Sequence, residues 1–209
     1  MATPCDDSSF PSLPIPIRSF VHFSIIDSTN DWGVRYLRLF HPPGEKDRSN
    51  GRFPLLVWAD TQSAARGRFE HRWWSPGGGL AFSLLARWRD FGLAREKSSE
   101  LSSRVARAVL SVIQSALDSS AVEANAVIEQ PNDILVGGKK ISGILIESPS
   151  PQYVVIGIGV NVNNRSSDYV APDNNPRGYI PVSLSDLTAR PWNCRELMGM
   201  IVRELFRAG

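Results

Sequence analysis

Apolar positions along this chain follow two periods. Short, nearly continuous apolar runs at residues 20–26, 55–59, 80–85, 141–147 and 153–162 predict β-strands. Two shorter pieces, Val127-Ile128 and Ile134-Leu135-Val136, flank Pro131-Asn132-Asp133 and read as a further strand pair. A helical period appears in three places. The first, at 30–40, follows the capping run Asp27-Ser28-Thr29-Asn30 and offers Trp32, Val34, Leu37 and Leu39 for packing. The second, at 99–117, carries Leu101, Val105, Ala108, Val109, Val112, Ile113 and Ala116, with Glu100 in its first turn where the helix dipole favours it. The third covers 193–207.

Polar stretches separate these elements. Residues 41–54 hold Pro42-Pro43-Gly44 and Gly51, residues 61–79 are rich in Arg, Trp and Gly, and residues 163–181 read as a mobile loop. Residues 1–18, with Pro4, Pro11, Pro14 and Pro16, read as a flexible tail, leaving 19–209 as one domain. No internal repeat is present. The sum is an α+β fold: a mixed or antiparallel β-sheet with helices packed on one side.

Composition narrows the function. The chain has 209 residues, 42% hydrophobic, enough for one substantial core. A net charge of +2, from 23 basic and 21 acidic residues, makes no case for nucleic acid. Cys5 and Cys194 stand far apart, without metal-ligand spacing or a disulfide framework. No run reaches membrane-spanning length, and the first residues lack a secretory signal, so the expectation is a cytoplasmic protein.

Candidate chemistry gathers in two basic segments. Arg66 and Arg68 are separated by Gly67, so in an extended loop both guanidinium groups face one anion. The same spacing describes a solvated basic loop. Lys140 follows the Gly137-Gly138 turn and opens a strand, where an ammonium can offset charge that builds during attack on a phosphate; it is also an ordinary hairpin lysine. Lys139 alternates to the surface. Asp133 suits either a magnesium ion, a lysine partner or a turn. Of Trp73 and Trp74, one suits covering a purine or apolar ligand while the other packs inward, and core packing of both is the alternative. Gly157 and Gly159 open space for a ligand or a neighbouring backbone. There is no P-loop, dinucleotide fingerprint, Ser-His-Asp arrangement or paired-histidine zinc spacing.

Four ordered stretches go further. They are Asp27-Ser28-Thr29-Asn30; Gln62 through Arg66-Gly67-Arg68 to Trp73-Trp74-Ser75-Pro76-Gly77-Gly78-Gly79-Leu80; Pro131-Asn132-Asp133-Ile134 with Gly138 to Glu147; and Gly157-Ile158-Gly159-Val160-Asn161-Val162-Asn163. Together they resemble the catalytic domain of biotin–protein ligases, over about residues 20 to 188. The resemblance implies a class II aminoacyl-tRNA-synthetase-like fold. It implies a ligase that makes biotinyl-5'-adenylate from biotin and ATP with Mg2+, then passes biotin to a lysine of a biotin carboxyl carrier protein. It places Ser28, Thr29 and Gln62 at the biotin ureido end and Arg66 and Arg68 in the loop that closes over the adenylate. Gly67 and Gly79 fall among the ligand-binding residues, and Trp73 beside adenine. Lys140 is placed at the carboxylate and α-phosphate, with Gly143 leaving room next to it. Asp133 is expected at magnesium and in the second step, and Asn161 near the nucleotide. Monomers of such proteins often pair through sheet edges, so a monomer or a sheet-edge homodimer is expected, with no nucleic acid or membrane partner.

The chain departs from that pattern at Ala65, at Phe69-Glu70, and at Glu129-Gln130, where Glu129 reverses a charge expected near phosphates. It is expected to be a short form without a winged helix or a C-terminal β-barrel. A non-catalytic biotin-binding module and a lipoate or octanoate ligase are the competing readings.

Overall fold

The computed structural model describes residues 16–42, 51–68, 72–171 and 178–207. Most of the expected tail, and Phe69-Glu70, lie outside the described residues. Ile17 does not belong to a tail: it is buried in the main core, and the Arg18 backbone donates to the Pro54 carbonyl.

The elements run β1 (Ser19–Ile26), α1 (Thr29–Phe40), β2 (Leu55–Gln62), β3 (Leu80–Arg87), α2 (Ser98–Asp118), β4 (Ala126–Glu129), β5 (Asp133–Val136), β6 (Lys139–Glu147), β7 (Tyr153–Val160), α3 (Leu184–Thr188) and α4 (Cys194–Arg207). The seven strands form one sheet in the order β1-β2-β3-β7-β6-β5-β4. β1 and β2 are parallel, and every other neighbouring pair is antiparallel.

Side-chain alternation divides the sheet into two faces. One presents Leu56, Phe82, Leu84, Ile144 and Ile156 to α2, α3 and α4, which contribute Val105, Val109, Leu184, Ile201 and Leu205 to the main core. Each such burial is worth about 1.5–3 kcal/mol relative to exposure. The seven positions whose period predicts the second helix are all buried in α2. On the opposite face, Val34 and Leu37 of α1 pack on Leu55, Val57, Leu85 and Val155. The registers Leu55↔Leu85 and Leu85↔Val155 align those strand residues. Further along that same face the residues shrink. Ser83 opposes Gly157, Ala81 opposes Gly159, and Gly159 opposes Gly143. α1 covers the large residues and the small ones form a shallow floor.

Two local devices set the β5–β6 hairpin. Gly137 and Gly138 both have positive φ, 57° and 74°, as a two-residue turn of this hand requires, so Val136 pairs with Lys139 and β6 starts earlier than the apolar run suggested. The register then slips: Leu135 pairs with Lys140 but Ile134 with Ser142, leaving Ile141 as an extra residue. That bulge lets Ile141 enter the main core while Lys140 faces the same way as Gly143.

Candidate active site

A cavity of about 1010 Å³ opens on the face that α1 leaves uncovered. Its floor is Gly143, Gly157 and Gly159. A Cβ on Gly157 would lie 2.3 Å from Asn30 Oδ1, and one on Gly159 would lie 2.6 Å from the Trp73 ring. The space that these glycines open is therefore used by two side chains of the protein. Trp73 lies over Gly143 and Gly159, and Trp74 packs edge-on against Tyr169 at the rim.

Near Gly157 the cavity is lined by hydrogen-bonding groups at the start of α1. Ser28 caps that helix, its Oγ accepting from the Asp31 amide at 3.2 Å, and is almost fully buried. The Thr29 amide donates to Gln62 Oε1 at 2.8 Å and its hydroxyl donates to the same oxygen at 3.2 Å. Ser83 Oγ sits 2.8 Å from both Thr29 Oγ1 and Asn30 Oδ1. Asn30 Nδ2 donates to Glu147 Oε2 at 2.7 Å.

Near Gly159 the lining is cationic. Lys140 Nζ lies 2.7 Å from Asp133 Oδ1 and 5.4 Å from the centre of the Trp73 ring. Asp133 is only 3% exposed, so its charge is taken up by this ion pair in a low-dielectric setting. Asn161 Nδ2 donates to the Lys140 carbonyl at 3.1 Å, and the Asn161 amide donates to the Ile141 carbonyl at 2.8 Å. The buried Asn161 thus pins the bulge that aims Lys140. Arg68 and Arg72 also line the cavity.

Arg66 lines the cavity but is otherwise engaged. Its Nε donates to Asp31 Oδ1 at 2.6 Å, and its Nη2 donates to both Glu147 oxygens at 2.8 and 2.7 Å. Hydrogen bonding to Asp31 first, and then to Glu147 against an opposing effect of burial, raises the guanidinium pKa above its ordinary value. Arg66 and Arg68 line the same cavity, and the Arg66 guanidinium is held there by two carboxylates.

Of the expected site residues, Ser28, Thr29, Gln62, Arg66, Gly67, Arg68, Trp73, Asp133, Lys140, Gly143 and Asn161 all line one cavity. Gly79 does not. It opens β3, near the Pro76 and Val160 carbonyls. The neighbouring Gly78, with φ at +90°, lets the chain approach the backbone of Asn163 and Asn164, so the glycine run serves backbone packing. Lys139 is exposed, as alternation predicts. Glu129 is exposed and absent from the cavity lining, because the short β4 turns it to solvent.

The polar 163–181 segment hides a contribution that period alone misses. The Lys140 amide donates to the Ile180 carbonyl, and the Val182 amide donates to the Lys140 carbonyl. This pairing brings Tyr179 and Pro181 to the cavity, where Tyr169 and Val170 join them. Aromatic residues in an otherwise polar loop were the available signal. Among the described residues no group of three His, Cys, Asp or Glu gathers as a metal cage. No described helix is long and apolar enough to cross a membrane.

A profile of the Biotin/lipoate A/B protein ligase family matches residues 26–161. The bifunctional ligase/repressor BirA of Bacillus spizizenii is 40% identical over 119 residues, 54% of this chain and 34% of that protein. The biotin–[acetyl-CoA-carboxylase] ligase of Paracoccus denitrificans is 33% identical over 152 residues, 69% of this chain and 58% of that protein. This chain therefore spans less than two thirds of either relative. Among solved structures, the biotin protein ligase from Leishmania major in complex with biotin aligns with a TM-score of 0.63 at 26% identity, over 91% of this chain and 73% of that one.

Proposed function

Because this chain belongs to the biotin/lipoate A/B protein ligase family, we propose that it activates biotin with ATP and transfers it to a lysine of a carboxyl-carrier protein. The catalytic unit is the domain from about residue 19 onward. One observation carries the reading: a single cavity joins a hydrogen-bonding end at Thr29 and Gln62 to a cationic end at Lys140 and Arg68. A polar bicyclic head group with N–H and C=O groups suits the first end. An octanoate tail has no N–H or C=O group to exchange hydrogen bonds with that polar end. The carboxylate at the other end of biotin then falls among the cations.

In the first step a biotin carboxylate oxygen attacks the α-phosphorus of ATP. The new C–O–P bond forms, the α–β bridging P–O bond breaks, and pyrophosphate leaves. Two anions must approach one another, and the Lys140 ammonium, held by Asp133, offsets their repulsion from a fixed position. In the second step the carrier's neutral lysine amine attacks the acyl carbon of the anhydride, forming an amide and releasing AMP. Trp73 and the Gly67–Arg68 segment lie where they shield that anhydride from water. A pocket with one carboxylate suits magnesium carried on the nucleotide phosphates, with Asp133 and Asn132 as the protein groups to meet it. The ion supplies further charge neutralisation at the phosphates.

The test is direct. Purified protein with biotin, α-labelled ATP and magnesium should form biotinyl-adenylate, and Lys140→Ala, assayed at a temperature where it is folded because it leaves the buried Asp133 without its partner, should lower the rate by at least about a hundredfold. Folded parent protein that forms no adenylate would overturn the proposal.

A further inference from the structure

Ser83 is fully buried in the middle of β3, and Thr29 and Asn30 are buried beside it at the start of α1. Three contacts there need a hydroxyl proton. Ser83 Oγ lies 2.8 Å from Asn30 Oδ1 and 2.8 Å from Thr29 Oγ1, and Thr29 Oγ1 lies 3.2 Å from Gln62 Oε1. Two hydroxyls supply two protons for these three contacts, so one proton is shared. The carboxylate of Glu147 decides which. Asn30 Nδ2 donates to Glu147 Oε2 at 2.7 Å and to the Leu145 carbonyl at 3.4 Å. Both partners accept and neither donates, so the Asn30 amide is turned with Oδ1 toward Ser83. That oxygen has no proton to give, and the Ser83 proton goes to it. The Ser83–Thr29 contact is then carried by the Thr29 proton, which Gln62 Oε1 shares at the longer distance. Gln62 Oε1 does not depend on it, because the Thr29 amide already donates there at 2.8 Å.

Thr29 lines the cavity. With its one proton used inside the protein, its oxygen offers the cavity lone pairs. Gly157 makes the arrangement possible, since a Cβ there would lie 2.3 Å from Asn30 Oδ1. Glu147 also receives the Arg66 guanidinium, but Asn30 reaches Glu147 directly from α1. The order of donors therefore does not depend on where the Arg66 segment lies.

We propose that Ser83, Asn30 and Glu147 are positioning residues: they orient the Thr29 hydroxyl so that it meets a ligand as an acceptor, and they thereby select a head group that brings an N–H. That the ligand is biotin rests on the function proposed above; the order of the donor chain does not. The chain acts on the head group, remote from the carboxylate that reacts, so it sets affinity rather than turnover.

The test is calorimetric titration of biotin, without ATP, into the parent, Ser83→Ala, Glu147→Gln and the double variant. Each is measured at a temperature where its melting curve shows it folded. Ser83→Ala removes the acceptor that holds the Thr29 proton. Glu147→Gln lets the Asn30 amide turn over and donate to Ser83, which reverses the chain. Each single change should weaken biotin about tenfold, and the double variant should be no weaker than the poorer single, because one chain breaks once. In adenylate formation the same loss should appear in the KM for biotin, with kcat altered less than about threefold; a general loosening of the fold would lower both. Unchanged affinity in Ser83→Ala, or losses that multiply in the double variant, overturns the proposal. If the parent binds biotin but forms no adenylate, the proposed function falls while the titrations still decide the donor chain. If the parent binds no biotin, both fall.

Discussion

Asn30 and Trp73 both occupy space that a glycine vacates, yet filling that space has different consequences. Asn30 is held by Ser83, Glu147 and the Leu145 carbonyl, so it cannot step aside. Gly157→Ala sets a methyl 2.3 Å from its oxygen and breaks that network. The expected cost is about 1–3 kcal/mol, read from urea denaturation. The Trp73 ring borders an open cavity and can lift. Gly159→Ala is therefore expected to cost less stability while shifting tryptophan fluorescence and weakening ligand binding about tenfold, read by calorimetry. Equal stability losses in the two variants would contradict this account. Lys140 carries the same lesson in another form, since its ammonium is useful only because Asp133 holds it and Asn161 pins the backbone behind it.

Elements matter here through their ends and irregularities. The extra residue Ile141 in β6 decides which face of the sheet receives Lys140. α3 is only five residues long, but its capping box joins two segments: Ser183 caps the Asp186 amide while Asp186 accepts from Ser183 and from the amide and hydroxyl of Ser166. Burial raises the Asp186 pKa, and the hydrogen bonds from Ser166 and Ser183 more than offset it, so the group stays below its ordinary value of 3.8. A depressed folded-state pKa means stability that is fully present above that value and lost as the pH falls through the lowered one. Asp186→Asn should thus cost about 0.5–1 kcal/mol at pH 7, at the low end for a cap because the carboxylate is exposed and screened. The difference from the parent should vanish in acid, once the pH has fallen through the lowered pKa. A cost that persists there would assign the effect to shape rather than charge. The same variant loosens Ser166 and with it Tyr169 at the cavity rim, a link visible as faster hydrogen exchange there.

The molecule as a whole is a sheet with one crowded face and one face that is only partly used. α2 and α4 pack on the crowded side, and Arg104 ties them together. It is 8% exposed, and its guanidinium donates to the Leu205 carbonyl in the last turn of α4 and to the Phe91 carbonyl. These acceptors lie at the end of a helix, where carbonyls lack partners of their own. Arg104→Met keeps the aliphatic shaft and leaves both carbonyls unpaired, so a loss of about 1–3 kcal/mol is expected in equilibrium unfolding. No loss would mean that the cost of burying the charge balances its hydrogen bonds. The cavity depends on the other face, where α1 stops short and the strands carry glycine, alanine and serine.

Period and local chemistry sufficed for the α+β class, for α2 to within a residue at each end, and for most of the strands, because these features follow from contacts between near neighbours in the chain. Of the twelve site residues that the ordered motifs named, eleven line the cavity, since loop glycines, paired arginines and a turn-flanking lysine signal their chemistry locally. Other features depend on residues distant in sequence. The parallel pairing of β1 with β2, the bulge that redirects Lys140, the arrival of Tyr179 beside β6 and the placing of Arg66 between Asp31 and Glu147 all arise from long-range contacts. Two arginines separated by one glycine look alike in the chain. Both line the cavity, and packing sets Arg66 between two carboxylates that sit 35 and 81 residues away.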